Sequence, residues 1–497
     1  MNLKKALTLF SVIPMLALTA CGGSTSSENT SAGTNNSSVS SSVNVSGDTL
    51  EIEFWHTSGK GLAEVYEKYA TQFEKLVLEN EGKKIDITPS YQGGYDDVLE
   101  KITKGFATNN YPNITVAYPD HVAEYLESEG TNPGKYVVNL ESYINDATIG
   151  LGKESYIGDG DKDDVVQGFY NEGTSYKREG VYSFPVMKSS EIMFYNKELV
   201  FEYLPMFDDS LTTSSKKEEF LNTMSWSQFM SFLSFVKTYM NQHPDHPGNN
   251  IQVPAFYDSD SNLMISKMYQ NNYPYLSIND EGKGSVDFNN ADNKAFVTTL
   301  KQQYDAGLIT TKGVENEYGS AWFKEEKTLF DIGSSGGSGY QNPTGGQFTV
   351  GVCKVPADNN NPLYVSQGVS MAILKHDDPT GEKAKYAYKF LKYLTSASVN
   401  AYLCVNGSEG YIPVRKSAYK TKLFSNYLAE GEEGEFVPKV ADIVINQIDG
   451  HYLNTPCFKG SSKARDAVGS ILTRVFKDDA TVETAFADAV TETKKAM

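Results

Sequence analysis

EIEFWHTSGKGLAEVYEKYATQFEKLVLENEGKKIDITPSY, residues 51–91, sets the fold class. Glu51-Ile52-Glu53-Phe54-Trp55 alternates as a half-buried strand does, and Leu62, Val65, Tyr66, Tyr69, Phe73, Leu76 and Val77 then recur at helical spacing. Alternation returns over residues 84–91, with Ile85 and Ile87 on one face. Beyond it the spacing predicts a helix over 95–106, a short strand over 113–118 and a further helix from about Asp120. Strand, helix, strand, helix, strand predicts an α/β lobe on a mainly parallel sheet. Ligands of such sheets sit at loops beyond the carboxyl ends of the strands, here 56–60, 92–95 and 119–121.

Downstream, residues 136–178 are polar and weakly patterned. Residues 181–187 and 191–195 read as strands separated by Lys188-Ser189-Ser190. After a polar insertion, Ser225-Trp226 opens a long helix, and Gly307 closes another that starts near Ala291. Residues 328–332, 348–355 and 365–374 read as strands, residues 382–394 as a helix, and two amphipathic helices start near Ser462 and Thr481. This predicts a second α/β lobe, with the chain crossing between lobes more than once.

Upstream, Lys4 and Lys5 precede an apolar run over 6–17 that is short for a membrane span, and Leu18-Thr19-Ala20-Cys21 resembles a bacterial lipobox. That resemblance implies a signal peptide over 1–20, lipid attachment at Cys21 and a site on the outer face of the cell membrane. Residues 22–47 are almost all Gly, Ser, Thr, Asn, Ala and Val, so 21–48 is expected to be a flexible tether. The 497 residues, 39% hydrophobic, suffice for two or three packed domains. A net charge of −19 argues against nucleic acid or an anionic lipid surface as partner, and an anionic ligand would need a local cationic pocket. Cys353, Cys404 and Cys457 lack metal-site spacing, and their odd number implies at least one free thiol.

Gly333-Ser334-Ser335-Gly336-Gly337 matches the G-x-S-x-G elbow and follows a strand, which makes a secreted serine hydrolase using Ser335 the alternative function. The elbow also requires an immediate helix, which the glycines and prolines of 337–346 disfavour. These glycines better suit close approach of backbone to a ligand. Asp159, Asp161 and Asp163 imitate a calcium loop, but Asp164 stands where glycine is needed and Tyr170 where glutamate is needed. No metal, phosphate-loop or dinucleotide motif emerges, so neither cofactor nor enzymatic activity is expected. At Gly460-Ser461-Ser462-Lys463-Ala464-Arg465, Ser461 or Ser462 is a candidate N-cap. Arg465 in the first turn is either half of an anion site or a surface arginine paired with Asp466.

Phe54-Trp55-His56, Tyr91-Gln92-Gly93-Gly94-Tyr95 and Phe194-Tyr195-Asn196-Lys197-Glu198-Leu199 resemble extracellular solute-binding proteins of ABC importers, the maltose-binding-like family. Ser225-Trp226, Gly351-Val352 and Gly410-Tyr411-Ile412-Pro413-Val414-Arg415 extend the resemblance, which is closest to the glycerol-3-phosphate-binding branch. It implies two α/β lobes joined by a hinge (49–180 plus 350–404, and 185–345 plus 405–497) and a partner permease. It also implies a small polar ligand, a polyol phosphate or a sugar, with binding residues at Tyr95, Ser189, Ser334, Gly368, Tyr411 and Arg465. Where that branch has a glutamate this chain has Pro119, so Asp120 is the nearest carboxylate; Lys188 also departs from the pattern.

Overall fold

A computed structural model describes residues 47–497 apart from positions 159, 344, 408, 409, 433 and 449. The expected signal peptide, lipidated Cys21 and nearly all of the tether lie outside the described residues, as does Asp159. Strands β1 (Leu50–His56), β2 (Ile85–Tyr91) and β3 (Ile114–Val116) are parallel, with helices Lys60–Glu81 and Tyr95–Thr108 as crossovers. Ile52 and Phe54 of β1 are buried against Tyr66 and Phe73 of the first helix, whose apolar stripe recurs as the sequence spacing requires.

The remaining strands are β4 (Phe184–Ser189), β5 (Glu191–Asn196), β6 (Ala255–Tyr257), β7 (Leu276–Ile278), β8 (Gly284–Val286), β9 (Ile309–Thr311), β10 (Phe330–Ser334), β11 (Val350–Cys353), β12 (Tyr364–Val365), β13 (Gln367–Ile373), β14 (Ile412–Pro413) and β15 (Tyr452–Leu453). The first lobe carries a six-stranded sheet ordered β14-β4-β13-β3-β1-β2, and the second a five-stranded sheet ordered β11-β5-β10-β6-β9. β7 pairs with β8, and β12 with β15.

Sheet membership shifts the lobe boundaries expected from the sequence. β4 belongs to the first sheet and β5 to the second, so the chain changes lobe across the single residue Ser190. Residues 350–353 pair with β5 in the second sheet, which moves the return crossing to between Cys353 and Gln367; residues 412–413, expected in the second lobe, pair with β4 in the first sheet. An apolar run announces a strand but not its partner. Lys188 and Ser189 do not separate two strands but finish β4, opposite Gly368 and Gln367. Their polarity misleads because Lys188, fully buried, is neutralised by Glu172 from a different element.

The polar insertion is itself helical, at Lys197–Phe207 and Ser214–Thr223, and helix Asp260–Gln270 is buried over much of its length. Ser225 caps helix Trp226–Gln242, its hydroxyl accepting from Gln228 N–H while Gln228 returns a bond to Ser225 N–H. Helix Ser461–Phe476 begins after Gly460, at φ +90, and neither Ser461 nor Ser462 is its N-cap; the Ser461 hydroxyl closes the preceding turn by accepting from Phe458 N–H.

Gly368 has φ +103, and a Cβ there would lie 2.7 Å from the Met187 carbonyl oxygen and 2.8 Å from Lys188 Cα. Gly368→Ala is expected to cost about 2–3 kcal/mol, read as a lower urea midpoint at unchanged slope; an unchanged midpoint would show that β4 and β13 can part without loss.

Candidate functional site

The two lobes enclose a cavity of about 830 Å³. Its first-lobe wall grows from the carboxyl ends of β2 and β3. Gly93, at φ +100, turns the chain out of β2, and the Asp97 carboxylate accepts from Gly94 N–H at 2.7 Å to fix the start of the next helix. Tyr95 is thereby its first residue, and its ring stacks on Tyr118 with centroids 4.2 Å apart. Tyr118 precedes helix Pro119–Glu127, which places Asp120 and His121 in the same wall. Of the three loops expected at strand ends, those at 92–95 and 119–121 reach the cavity. His56 instead is buried behind it, its Nδ1 accepting from Ser58 N–H and its pKa lowered by burial.

The second-lobe wall follows β6 and β10. Ser334 ends β10, with its hydroxyl accepting from Gly336 N–H at 3.3 Å, and a 3-10 helix, Ser335–Gln341, follows at once. The expected absence of a helix there is thus corrected: the tighter helix tolerates the glycines. Ser335 itself is fully buried, its Oγ accepts from Ser190 N–H at 3.3 Å, and its own N–H donates to the Ser190 carbonyl at 2.8 Å. Among the described residues no histidine is bonded to it, so nothing supports a nucleophile at this position. Across Gly336 lies the ring of Tyr411, close enough that a Cβ on the glycine would meet Tyr411 Cε2 at 2.3 Å. Tyr318 and Tyr340 also line the cavity and remain more than half exposed.

Tyr95, Asp120, Ser334, Tyr411 and Arg465 therefore share one cavity. Ser189 and Gly368 do not line it; they sit behind, in the β4–β13 ladder, while Gln367 alongside them faces in. Arg465 is neither a surface arginine nor an unoccupied cation: its Nη2 donates to the Oδ1 of Asn262, which is buried on helix Asp260–Gln270. Where helix Ser461–Phe476 begins, Gly460 N–H donates at 2.6 Å to the Glu124 carboxylate of the first lobe, so an amide-to-carboxylate bond bridges the lobes.

Three carboxylates of the cavity wall, two of them buried, escaped the sequence reading. Glu172 lies in the segment that looked featureless, at the end of helix Gln167–Glu172; one oxygen accepts from Lys188 and the other, Oε1, has no hydrogen-bond partner among the described residues. Glu191 opens β5; its Oε2 accepts from the Tyr257 hydroxyl at 2.8 Å, and among the described residues Oε1 again has no hydrogen-bond partner. Asp258 follows β6 and accepts from Gly319 N–H at 2.7 Å. Burial pushes Glu191 up to about 7, against the opposite pull of Tyr257, Asn262 and Arg465. Burial likewise raises Asp258 to about 6, and raises Asp331 well above the carboxylate range with Asp258 beside it adding to the effect. Carboxylates at these positions carry no local sequence pattern, since the groups that surround them are distant in the chain.

Cys353, Cys404 and Cys457 are all free and buried, and the Asp161–Asp164 turn is bound into the fold by Arg415 and Ser417 rather than opened around an ion.

Two α/β lobes that exchange strands across a buried crossover, with a polar cavity between them, define a two-lobed binding protein. Residues 68–430 match the family profile described as bacterial extracellular solute-binding protein, and the chain belongs to that family. The sn-glycerol-3-phosphate-binding periplasmic protein of Escherichia coli K12 is 20% identical over 373 residues, 74% of this chain and 75% of that one. Among solved structures, the UgpB protein of Mycobacterium tuberculosis in complex with glycerophosphocholine superposes with a TM-score of 0.64 at 14% identity, covering 90% of this chain and 98% of that one. An ABC substrate-binding protein of Listeria monocytogenes in complex with cycloalternan gives 0.65 at 15%, covering 90% and 99%. These structural likenesses establish the shared fold.

Glu191 faces Asp258, Arg465 and Lys267, and its ordinary value of 4.5 rises to about 7. A carboxyl raised by folding adds stability that is complete below its unfolded value and is lost as pH climbs through the folded one. Glu191→Gln is therefore expected to be increasingly more stable than the native protein from pH 4.5 to 8, by up to about 3 kcal/mol. Urea titrations across that range check it, and a difference that does not vary with pH would exclude it.

Proposed function

We propose that this protein captures a small polyhydroxylated solute, a carbohydrate or a polyol phosphate such as glycerol-3-phosphate or a glycerophosphodiester, for an ABC importer. The observation that carries the reading is the cavity, in which side chains of both lobes converge beside a one-residue crossover. Tyrosine rings offer flat faces to the carbon skeleton of a sugar or polyol, while serine hydroxyls, carboxylates and the Arg465–Asn262 pair offer bonds to its oxygens. Tyr95, Asp120, Ser334, Tyr411 and Arg465 contact the solute, with Ser189 and Gly368 supporting the wall. Closure about the hinge buries the solute and forms the surface a permease reads. No bond of the solute is made or broken. The chain is held at the outer face of the cell membrane by lipid on Cys21.

A cognate solute at a hundredfold excess over its dissociation constant is expected to stabilise the protein by about 2.7 kcal/mol, visible as a thermal shift. A panel of sugars, polyols and their phosphates that produces no shift would remove solute capture. For the anchor, Cys21→Ala is expected to move the protein from the membrane fraction to the soluble export fraction; retention of the variant on membranes would refute attachment through that thiol.

A further inference from the structure

Six carboxylates line the cavity, against the side chains of Arg465 and Lys312. Neither cation is unengaged. Lys312 Nζ lies 3.7 Å from the ring centroid of Tyr318, and Arg465 is bonded to Asn262 and stands in the field of Glu191. Two of the carboxylates have a further property in common. Glu172, at 4% exposure, and Glu191, at 2%, both line this cavity, and each carries one buried carboxylate oxygen with no hydrogen-bond partner among the described residues. They come from opposite lobes: Glu172 is tied to Lys188 of β4, Glu191 starts β5, and only Ser189 and Ser190 separate Lys188 from Glu191 in the chain.

We propose that Glu172 and Glu191 are specificity-determining residues that accept hydroxyl groups of an uncharged ligand and exclude phosphate from Arg465. A buried acceptor without a partner is costly, and a hydroxyl donor from the ligand removes that cost at both positions at once. Because one acceptor belongs to each lobe, a ligand that satisfies both also holds the lobes together. A phosphate has no such hydroxyl at its charged end. Placed on Arg465, it would stand in the field of Glu191, whose burial weakens the screening between like charges. The inference rests on the solute-capture reading and narrows it to neutral saccharides or polyols, away from the anionic solute named for the Escherichia coli relative.

The test is calorimetric titration at pH 8 with maltose, cellobiose, xylobiose, trehalose, glycerol-3-phosphate and glycerophosphocholine, on the native protein and on Glu191→Gln, which keeps the acceptor for Tyr257 while removing charge. The native protein is expected to bind a neutral ligand at least a hundredfold more tightly than either phosphate. In Glu191→Gln that ratio is expected to shrink at least tenfold, and weak glycerol-3-phosphate binding by the native protein should strengthen from pH 8 to 5.5 by a larger factor than in the variant, where Asp258 and the phosphate itself still titrate. A native preference for either phosphate, or a ratio untouched by the substitution, overturns the assignment while leaving solute capture standing. Absence of binding by every compound to both proteins would take down solute capture itself, and this inference with it.

Discussion

The architecture depends on carrying one chain between two sheets through Ser190 without stranding its backbone. A buried crossover cannot rely on water for its amides, so every donor and acceptor needs a protein partner. Ser335 supplies both: its hydroxyl receives Ser190 N–H, and its amide supplies the Ser190 carbonyl. The Ser190 hydroxyl reaches the Val365 carbonyl on the return crossing. Gln447 Nε2 then donates to the Glu191 carbonyl, so helix Phe436–Ile448 fixes the first residue beyond the bend. The serine that resembled a nucleophile is spent on joining the lobes.

Around that bend the molecule accumulates charge in places where charge is expensive. Lys188 and Glu172 offset each other within the first lobe, and removing one partner of such a buried pair strands the other. In the second lobe Glu191, Asp258 and Asp331 have no cation bonded to them among the described residues, and burial keeps them inclined to protonate. Core packing accounts for none of this. Val440, Ala441 and Val444 pack with Val350 and Val352, and Phe229 and Phe232 with Phe330, in apolar clusters that would be complete without the carboxylates. Polar groups that stability does not need point to recognition as their reason.

Residues 51–127 were legible because helical and strand periods alternate cleanly there and because parallel strands are buried as apolar runs. Ser225 and Thr481 announced their helices because capping is local chemistry. Sheet membership was not legible: β11 pairs with β5, and no short stretch encodes a partner more than 150 residues away. At the site, Tyr95, Asp120, Ser334, Tyr411 and Arg465 came from family resemblance and share the cavity, whereas Gly368 marks a tight backbone passage just behind it. Glu172 and Glu191 stayed hidden because their meaning lies in what surrounds them. A carboxylate beside a buried lysine reads, in sequence, like any carboxylate in a polar stretch.

The 2.6 Å bond from Gly460 N–H to Glu124 has a thermodynamic corollary. Any change in the spacing of the two jaws must keep this bond or return both its amide and its carboxylate to water, so the contact weighs on every movement of one half against the other.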